Sequence, residues 1–245
     1  NKIGGSKFFK IVNLNSIKNH SMFRKIQIFI LAVATFGNAD AQKTKLNSGE
    51  RPKLVVGLVV DQMRWDYLYR YEKKYGEGGF KRLLSEGYSF NNVHIPYIPT
   101  VTAIGHTSIY TGSVPSIHGI AGNDWTDKET GKSVYCTADE SVNPVGTDNK
   151  KIGSHSPKNL WSTTVTDQLR IASNFKSKVV GVSLKDRASI LPAGHNPTGA
   201  FWFDDSSGNF ITSSYYMDEL PKWISDFNDQ KVPEKLLSNG WETAL

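Results

Sequence analysis

Apolar residues run without interruption over positions 54–60 and stop at Asp61. Such a run predicts a strand buried on both faces, as in a parallel sheet, with the acid at the C-terminal end where ligands gather in open α/β sheets. A helix over 79–85 closed by Gly87 follows, and alternation over 88–95 predicts a further strand. Pro96 and Pro99 then hold the chain extended and discourage a helix before Thr100. Thr102 stands where the first free N–H groups of a short helix would point, and Gly112 is placed to stop that helix. Ala103, Gly105 and Ser108 are small enough for it to lie close on a sheet.

Further along, residues 125–135 predict a hairpin turning at 129–131. A helix is expected to start at Ser156-Pro157, with Trp161, Val165, Leu169 and Ala172 as its buried stripe. Residues 179–183 read as a strand, and 200–203 with 209–212 as a hairpin around Asp204-Asp205-Ser206-Ser207-Gly208. The two aspartates lack calcium-loop spacing, so solvated turn chemistry is expected of them rather than a metal site. A last amphipathic helix is expected over 217–227, with Leu220, Trp223, Ile224 and Phe227 facing inward and Pro221 in its first turn. Strands alternating with helices predict an α/β fold with a mainly parallel central sheet and helices on both faces.

The first 41 residues stand outside this pattern. Residues 1–21 form an upstream polar segment. Residues 22–41 have the charged, apolar and small-residue regions of a secretory signal, with cleavage expected after Ala41. The apolar part is too short to span a bilayer comfortably. The mature chain, 42–245, is therefore expected in the periplasm or outside the cell with no stable membrane anchor. Of the formal net charge of +6, six Lys/Arg against one Asp in residues 1–41 supply +5, which leaves about +1 for the rest. The basicity thus carries no indication of a nucleic-acid partner. A lone cysteine, Cys136, fits an exported protein that does not rely on disulfides, and reads as a buried residue.

Several residues could carry chemistry. Thr102 is either an ordinary helix cap or a nucleophile, and Asp61 either caps a turn or binds a metal. Lys185 and Arg187, two apart after a strand, would reach toward one face of an extended segment, or stand as two solvated charges. Asn123 after Gly122 is a turn residue or an amide donor to an anion. His106 and His118 read as packed or backbone-bonded histidines. Gly131-Lys132-Ser133 is not the end of a phosphate loop, since Thr126 stands where the motif needs its first glycine.

Taken together, the strand leading to Asp61, Pro99-Thr100-Val101-Thr102, His118-Gly119-Ile120 with Asn123, and Lys185-x-Arg187 resemble the alkaline phosphatase superfamily. The nearest likeness is to bacterial threonine-nucleophile alkaline phosphatases of the PafA type, from about Leu54 to the end of the chain. The resemblance implies an alkaline-phosphatase-like fold, two zinc ions and hydrolysis of small-molecule phosphate monoesters. Thr102 would be the zinc-held nucleophile that becomes phosphothreonine, Asp61 a zinc ligand, and Asn123, Lys185 and Arg187 the partners of the phosphoryl oxygens. It also implies that residues 42–245 are the N-terminal part of the catalytic domain. The other metal ligands are expected beyond Leu245 and this chain alone is expected to be inactive. Two rivals stay open: a phosphodiesterase or nucleotide pyrophosphatase of the same superfamily, and a secreted phosphate-ester-binding domain without turnover. A sulfatase is not expected, since no Cys-x-Pro-x-Arg surrounds the nucleophile position.

Overall fold

The computed structural model describes residues 52–242. The expected signal segment and the polar stretch before it lie outside those residues. The chain divides into two units, Asn1–Gly57 and Leu58–Leu245, and the second holds every element below. After a short turn of helix at Tyr67–Arg70 come α1 (Gly79–Glu86), α2 (Thr102–Thr111) and α3 (Pro115–His118). The hairpin β1 (Asp124–Thr126) and β2 (Ser133–Tyr135) follows, then β3 (Pro144–Val145) and α4 (Val165–Ala172). The chain continues through β4 (Val180–Ser183), α5 (Asp186–Ala193), β5 (Gly199–Asp204) and β6 (Asn209–Ser213), and ends in α6 (Lys222–Asn228) and α7 (Val232–Leu237).

The α/β class holds, and the larger sheet is mixed. Its order is β3-β6-β5-β4, with β4 and β5 parallel and the other two pairs antiparallel. The parallel pair, in register from Val180↔Gly199 to Ser183↔Trp202, needs a crossover, and α5 supplies it. Gly181 allows the close approach of that helix: a Cβ there would sit 2.4 Å from the Ser189 carbonyl oxygen.

Helix α5 joins the two cores. Leu191 packs with Ala103, Ile104, Ile120, Cys136 and Leu160, while its neighbours Ile190 and Ala193 pack with Ala200, Trp202 and Ile211. A helix buried on opposite sides in this way is a layer between α2 and the sheet. Helix α2 therefore packs on α5, through Ala103, rather than on strands, which corrects the expected helix-on-sheet contact. Pro192 lies near the C-terminus of α5, where the last carbonyls need outside partners. The Thr166 hydroxyl donates to the Pro192 and Ala193 carbonyls at 2.7 and 3.1 Å.

Four other expectations change. Residues 54–60 and 88–95 form no strand, because no strand among the described residues pairs with either. Their apolar side chains stay in water, Leu58 at 77% and Tyr88 at 83% exposure. The helix expected from Ser156-Pro157 begins only at Val165. Thr164 and Asp167 there form a reciprocal capping box, with the Asp167 N–H donating to Thr164 Oγ1 and the Thr164 N–H to Asp167 Oδ2, both at 3.0 Å. Trp161, expected inside, is exposed, and so are Val165 and Leu169. The last predicted helix starts at Lys222 with Pro221 as its N-cap. Of its stripe only Ile224 is buried, with Trp223 and Phe227 exposed, and α7 beyond it was not anticipated.

The two hairpins stand close to where they were read, and Gly131-Lys132-Ser133 belongs to the turn and second strand of the first. Asp204 does organise its turn, accepting from the Ser206 N–H and hydroxyl at 3.0 and 2.6 Å and the Ser207 hydroxyl at 2.9 Å. It does so fully buried rather than solvated. Asp167 is a second buried anchor. It accepts from the backbone N–H groups of His195 at 2.8 Å and Asn196 at 3.0 Å, and from His195 Nδ1 at 3.0 Å. Burial alone would raise its pKa, but these bonds outweigh it and bring the carboxyl down to about 2.

Candidate functional site

Helix α2 begins without a capping side chain of its own. Val101 is the N-cap, in extended geometry, and cannot accept a hydrogen bond through its side chain. The amide of Ala103, without a partner inside the helix, is satisfied from elsewhere: Asn123 Oδ1 accepts it at 2.9 Å. The backbone carbonyl of Asn123 in turn accepts from the Cys136 N–H at 2.9 Å, which ties this residue to the end of β2. With Oδ1 engaged, the amide nitrogen of Asn123 is the group left to donate.

Thr102 is the first residue of α2, and its hydroxyl does not cap the helix. Oγ1 donates to Asp61 Oδ2 at 2.8 Å, while Asp61 Oδ1 accepts from the Gln62 N–H at 2.9 Å. Both carboxylate oxygens are thereby oriented although Asp61 is exposed. His106 supports the same turn, its Nδ1 donating to the Thr102 carbonyl at 2.9 Å. His118 is buried and takes the Ile120 N–H on Nδ1 at 3.2 Å. Its neutral tautomer then carries the proton on Nε2, which donates to Ser108 Oγ at 3.0 Å. Burial lowers its pKa, and with both ring nitrogens bonded it has no lone pair for a metal.

Lys185 and Arg187 are not on an extended segment. Lys185 is the N-cap of α5 and Arg187 lies in its first turn, so strand alternation does not set their directions. Both line a cavity of about 770 Å³, together with Tyr135, His155, Asp186 and Trp202. The Tyr135 hydroxyl donates to Asp186 Oδ1 at 3.0 Å and accepts from Arg187 Nη1 at 2.8 Å. Thr137 Oγ1 donates to the other Asp186 oxygen. Burial first, then the Asp186 charge, push the Tyr135 pKa up and the Cys136 thiol to about 12, so that thiol is inert.

The structure thus brings Asp61, Thr102 and Asn123 together at one helix end, and Lys185 with Arg187 at another. Asp61, Thr102 and Asn123 are not among the residues lining the cavity. The two helices that carry these groups share a core through Ala103, Ile104 and Leu191. Sequence reasoning missed Tyr135, Thr137 and Asp186 around Arg187. Asp186 between two cations was the available signal, but Tyr135 is 52 positions from Arg187 and nothing local marked it.

A carboxylate and a hydroxyl oxygen are suitable zinc donors. Among the described residues no cluster of three or more His, Cys, Asp or Glu converges, and Asp61 with Thr102 falls short of the three or four protein ligands a zinc site takes.

The profile of the family described as type I phosphodiesterase / nucleotide pyrophosphatase matches residues 55–243. Alkaline phosphatase PafA of Elizabethkingia meningoseptica is 76% identical over 209 residues, covering 85% of this chain and 38% of that protein. Alkaline phosphatase PhoV of Synechococcus elongatus is 54% identical over 89% of this chain and 41% of its own length. A crystal structure of wild-type PafA superposes with a TM-score of 0.78 at 78% identity, over 80% of this chain and 38% of that one. The chain therefore spans about two fifths of the length of these relatives.

Proposed function

The chain belongs to the type I phosphodiesterase / nucleotide pyrophosphatase family, within the alkaline phosphatase superfamily, and from that premise we propose that it is the N-terminal part of an exported, zinc-dependent alkaline phosphomonoesterase. The reading rests chiefly on the Thr102–Asp61 hydrogen bond of 2.8 Å, which sets a nucleophile and an acceptor together beside the Asn123 amide.

In the proposed reaction Thr102 Oγ1 attacks the phosphorus of a small-molecule monoester in line with the departing oxygen. The bond from Oγ1 to phosphorus forms as the ester P–O bond breaks and the alcohol oxygen leaves, while the hydroxyl proton passes to solvent, since Asp61 Oδ2, which orients Oγ1, would serve as a metal ligand. Asp61 and Thr102 would hold one of two zinc ions, which when bound lowers the pKa of a coordinated hydroxyl. Asn123 Nδ2, Lys185 and Arg187 would hold the equatorial oxygens, the arginine by its fork and the lysine as a mobile point charge. Water then cleaves the phosphothreonine.

The choice of a monoester over a diester is supported by the pair Lys185 and Arg187. Two cations beyond Asn123 suit a doubly charged phosphoryl group, whereas a diester carries less charge and a second bulky substituent. The test is a rapid acid quench of the full-length protein with labelled aryl phosphate, followed by peptide mapping. Label on Thr102 is expected. Label on Thr100, or release of phosphate with no trapped intermediate in any variant, would overturn the assignment.

A further inference from the structure

We propose that Tyr135 is a positioning residue for Arg187, holding its guanidinium at the cavity through one shared hydroxyl. The proposal rests on the reading of Arg187 as a phosphoryl-binding residue and adds what fixes it there.

An arginine at the start of a helix has four side-chain torsions to order before its fork can meet an anion, and that ordering costs conformational entropy. Arg187 Nε is buried with no partner among the described residues. The bond from Nη1 to the Tyr135 oxygen, 2.8 Å, is the one hydrogen bond those residues give the guanidinium. Tyr135 is itself held at both ends. Its ring packs against the core formed by Ala103, Ile104, Ile120, Cys136, Leu160 and Leu191, and its proton goes to Asp186 Oδ1 at 3.0 Å. The direction of this relay is determined: the carboxylate can only accept and the guanidinium can only donate, so the hydroxyl must give its proton to Asp186 and offer its lone pair to Arg187. Thr137 Oγ1 donates to Asp186 Oδ2, which fixes the carboxylate that aims the hydroxyl.

The relay also suits an alkaline milieu. Asp186, Arg187, Cys136 and the His155 ring, whose centroid is 5.6 Å away, surround Tyr135. Burial, with Asp186 and Cys136 adding to it and Arg187 opposing, pushes its pKa well above the ordinary 10.0. The hydroxyl therefore keeps the proton it needs for the bond to Asp186. A free arginine side chain would lose the same anchorage to thermal motion, and the phosphoryl group would have to order it anew at each binding event.

The experiment is a double-mutant cycle in the full-length protein, with inorganic phosphate inhibition and kcat/KM for an aryl phosphate as readouts. Tyr135→Phe keeps the ring and its packing and removes the shared oxygen. It should weaken phosphate binding by about tenfold, the scale of one hydrogen bond to a charged group. In an Arg187→Ala background the same change should have less than about twofold effect, since nothing is left to position. A tenfold loss in both backgrounds, or none in the parent while Arg187→Ala is impaired, would overturn the positioning role and leave the Arg187 reading intact. If Arg187→Ala binds phosphate normally, the reading falls and the inference with it. Should Tyr135→Phe fail to fold by circular dichroism, Asp186→Asn weakens the hold on the same hydroxyl and is read against Arg187→Ala in the same way.

Discussion

The Thr102 hydroxyl donates to Asp61 Oδ2 at 2.8 Å, and that bond joins residues 41 positions apart. It takes the threonine away from helix capping, the ordinary use of a hydroxyl at such a place, and directs Oγ1 toward a carboxylate. Under the proposed chemistry, Thr102→Ala should lower kcat/KM for an aryl phosphate by about 10⁴-fold or more. Thr102→Ser keeps a hydroxyl at the same position and should retain an appreciable share of turnover. Equal losses in the two variants, measured on the full-length protein, would remove Thr102 from the nucleophile role.

Asn123 has two separable jobs. Its oxygen satisfies the Ala103 amide, and its nitrogen is left to donate. Asn123→Ala should therefore lower stability by about 1 kcal/mol, as loss of a helix cap does, and also weaken phosphate binding. Asn123→Asp keeps the acceptor and should restore the melting temperature while binding phosphate worse still, because an anion now faces an anion. Recovery of phosphate affinity in Asn123→Asp would contradict this division.

Alanine at Lys185 or Arg187 should lower monoester turnover more than diester turnover. The expected cost of each in the monoester transition state is about 2–4 kcal/mol, that of one preorganised donor. Steady-state kinetics with matched aryl mono- and diesters decide the point, and parallel losses on both would count against the charge argument.

Two histidines should give stability opposite dependences on pH. Burial lowers the pKa of His118 from 6.5, so between its folded value and 6.5 the unfolded chain binds more protons and stability rises with pH. The Asp167 carboxylate raises the pKa of His195 from 6.5, so the folded chain binds more protons above 6.5 and stability falls as pH rises through the folded value. Urea midpoints across neutral pH should show the acid-side slope reduced in His118→Gln and the neutral-to-alkaline slope reduced in His195→Gln. The same slope change in both variants would refute the assignment.

Asp167 itself is an acid-labile point. Its pKa stands at about 2 against an ordinary 3.8, so its contribution is complete above 3.8 and is lost as pH falls through the folded value. Asp167→Ala removes the capping box of α4 and the anchor of His195 and Asn196 together, and should cost about 3–5 kcal/mol. A change below 1 kcal/mol in denaturant unfolding would show that the pair is expendable.

Much of this was legible because the signals are local. Gly112 ends α2 in the left-handed conformation, the turn before Asn209 is made by Asp204 and its serines, and the strand Val180–Ser183 runs into Lys185. Each depends on the backbone preferences or side-chain reach of a few neighbouring residues, so periodicity and turn chemistry suffice. The resemblance, carried by four separated motifs, supplied the candidate site residues that no single stretch could.

What the sequence by itself determined was therefore the α/β character and the helix that begins at Thr102, and it supplied the candidates for chemistry. Tertiary structure decided the rest. Pairing is a long-range matter, and an apolar run such as 54–60 becomes a strand only where another strand meets it. The register that puts Ser183 opposite Trp202, the burial of α5 between two cores, and the contact of Tyr135 with Arg187 all join groups distant in the chain. Lys185 and Arg187 look alike on a strand or on a helix when only their spacing is known. The fold places them at the N-terminus of a helix, and there a tyrosine far away in sequence accepts a hydrogen bond from one of them.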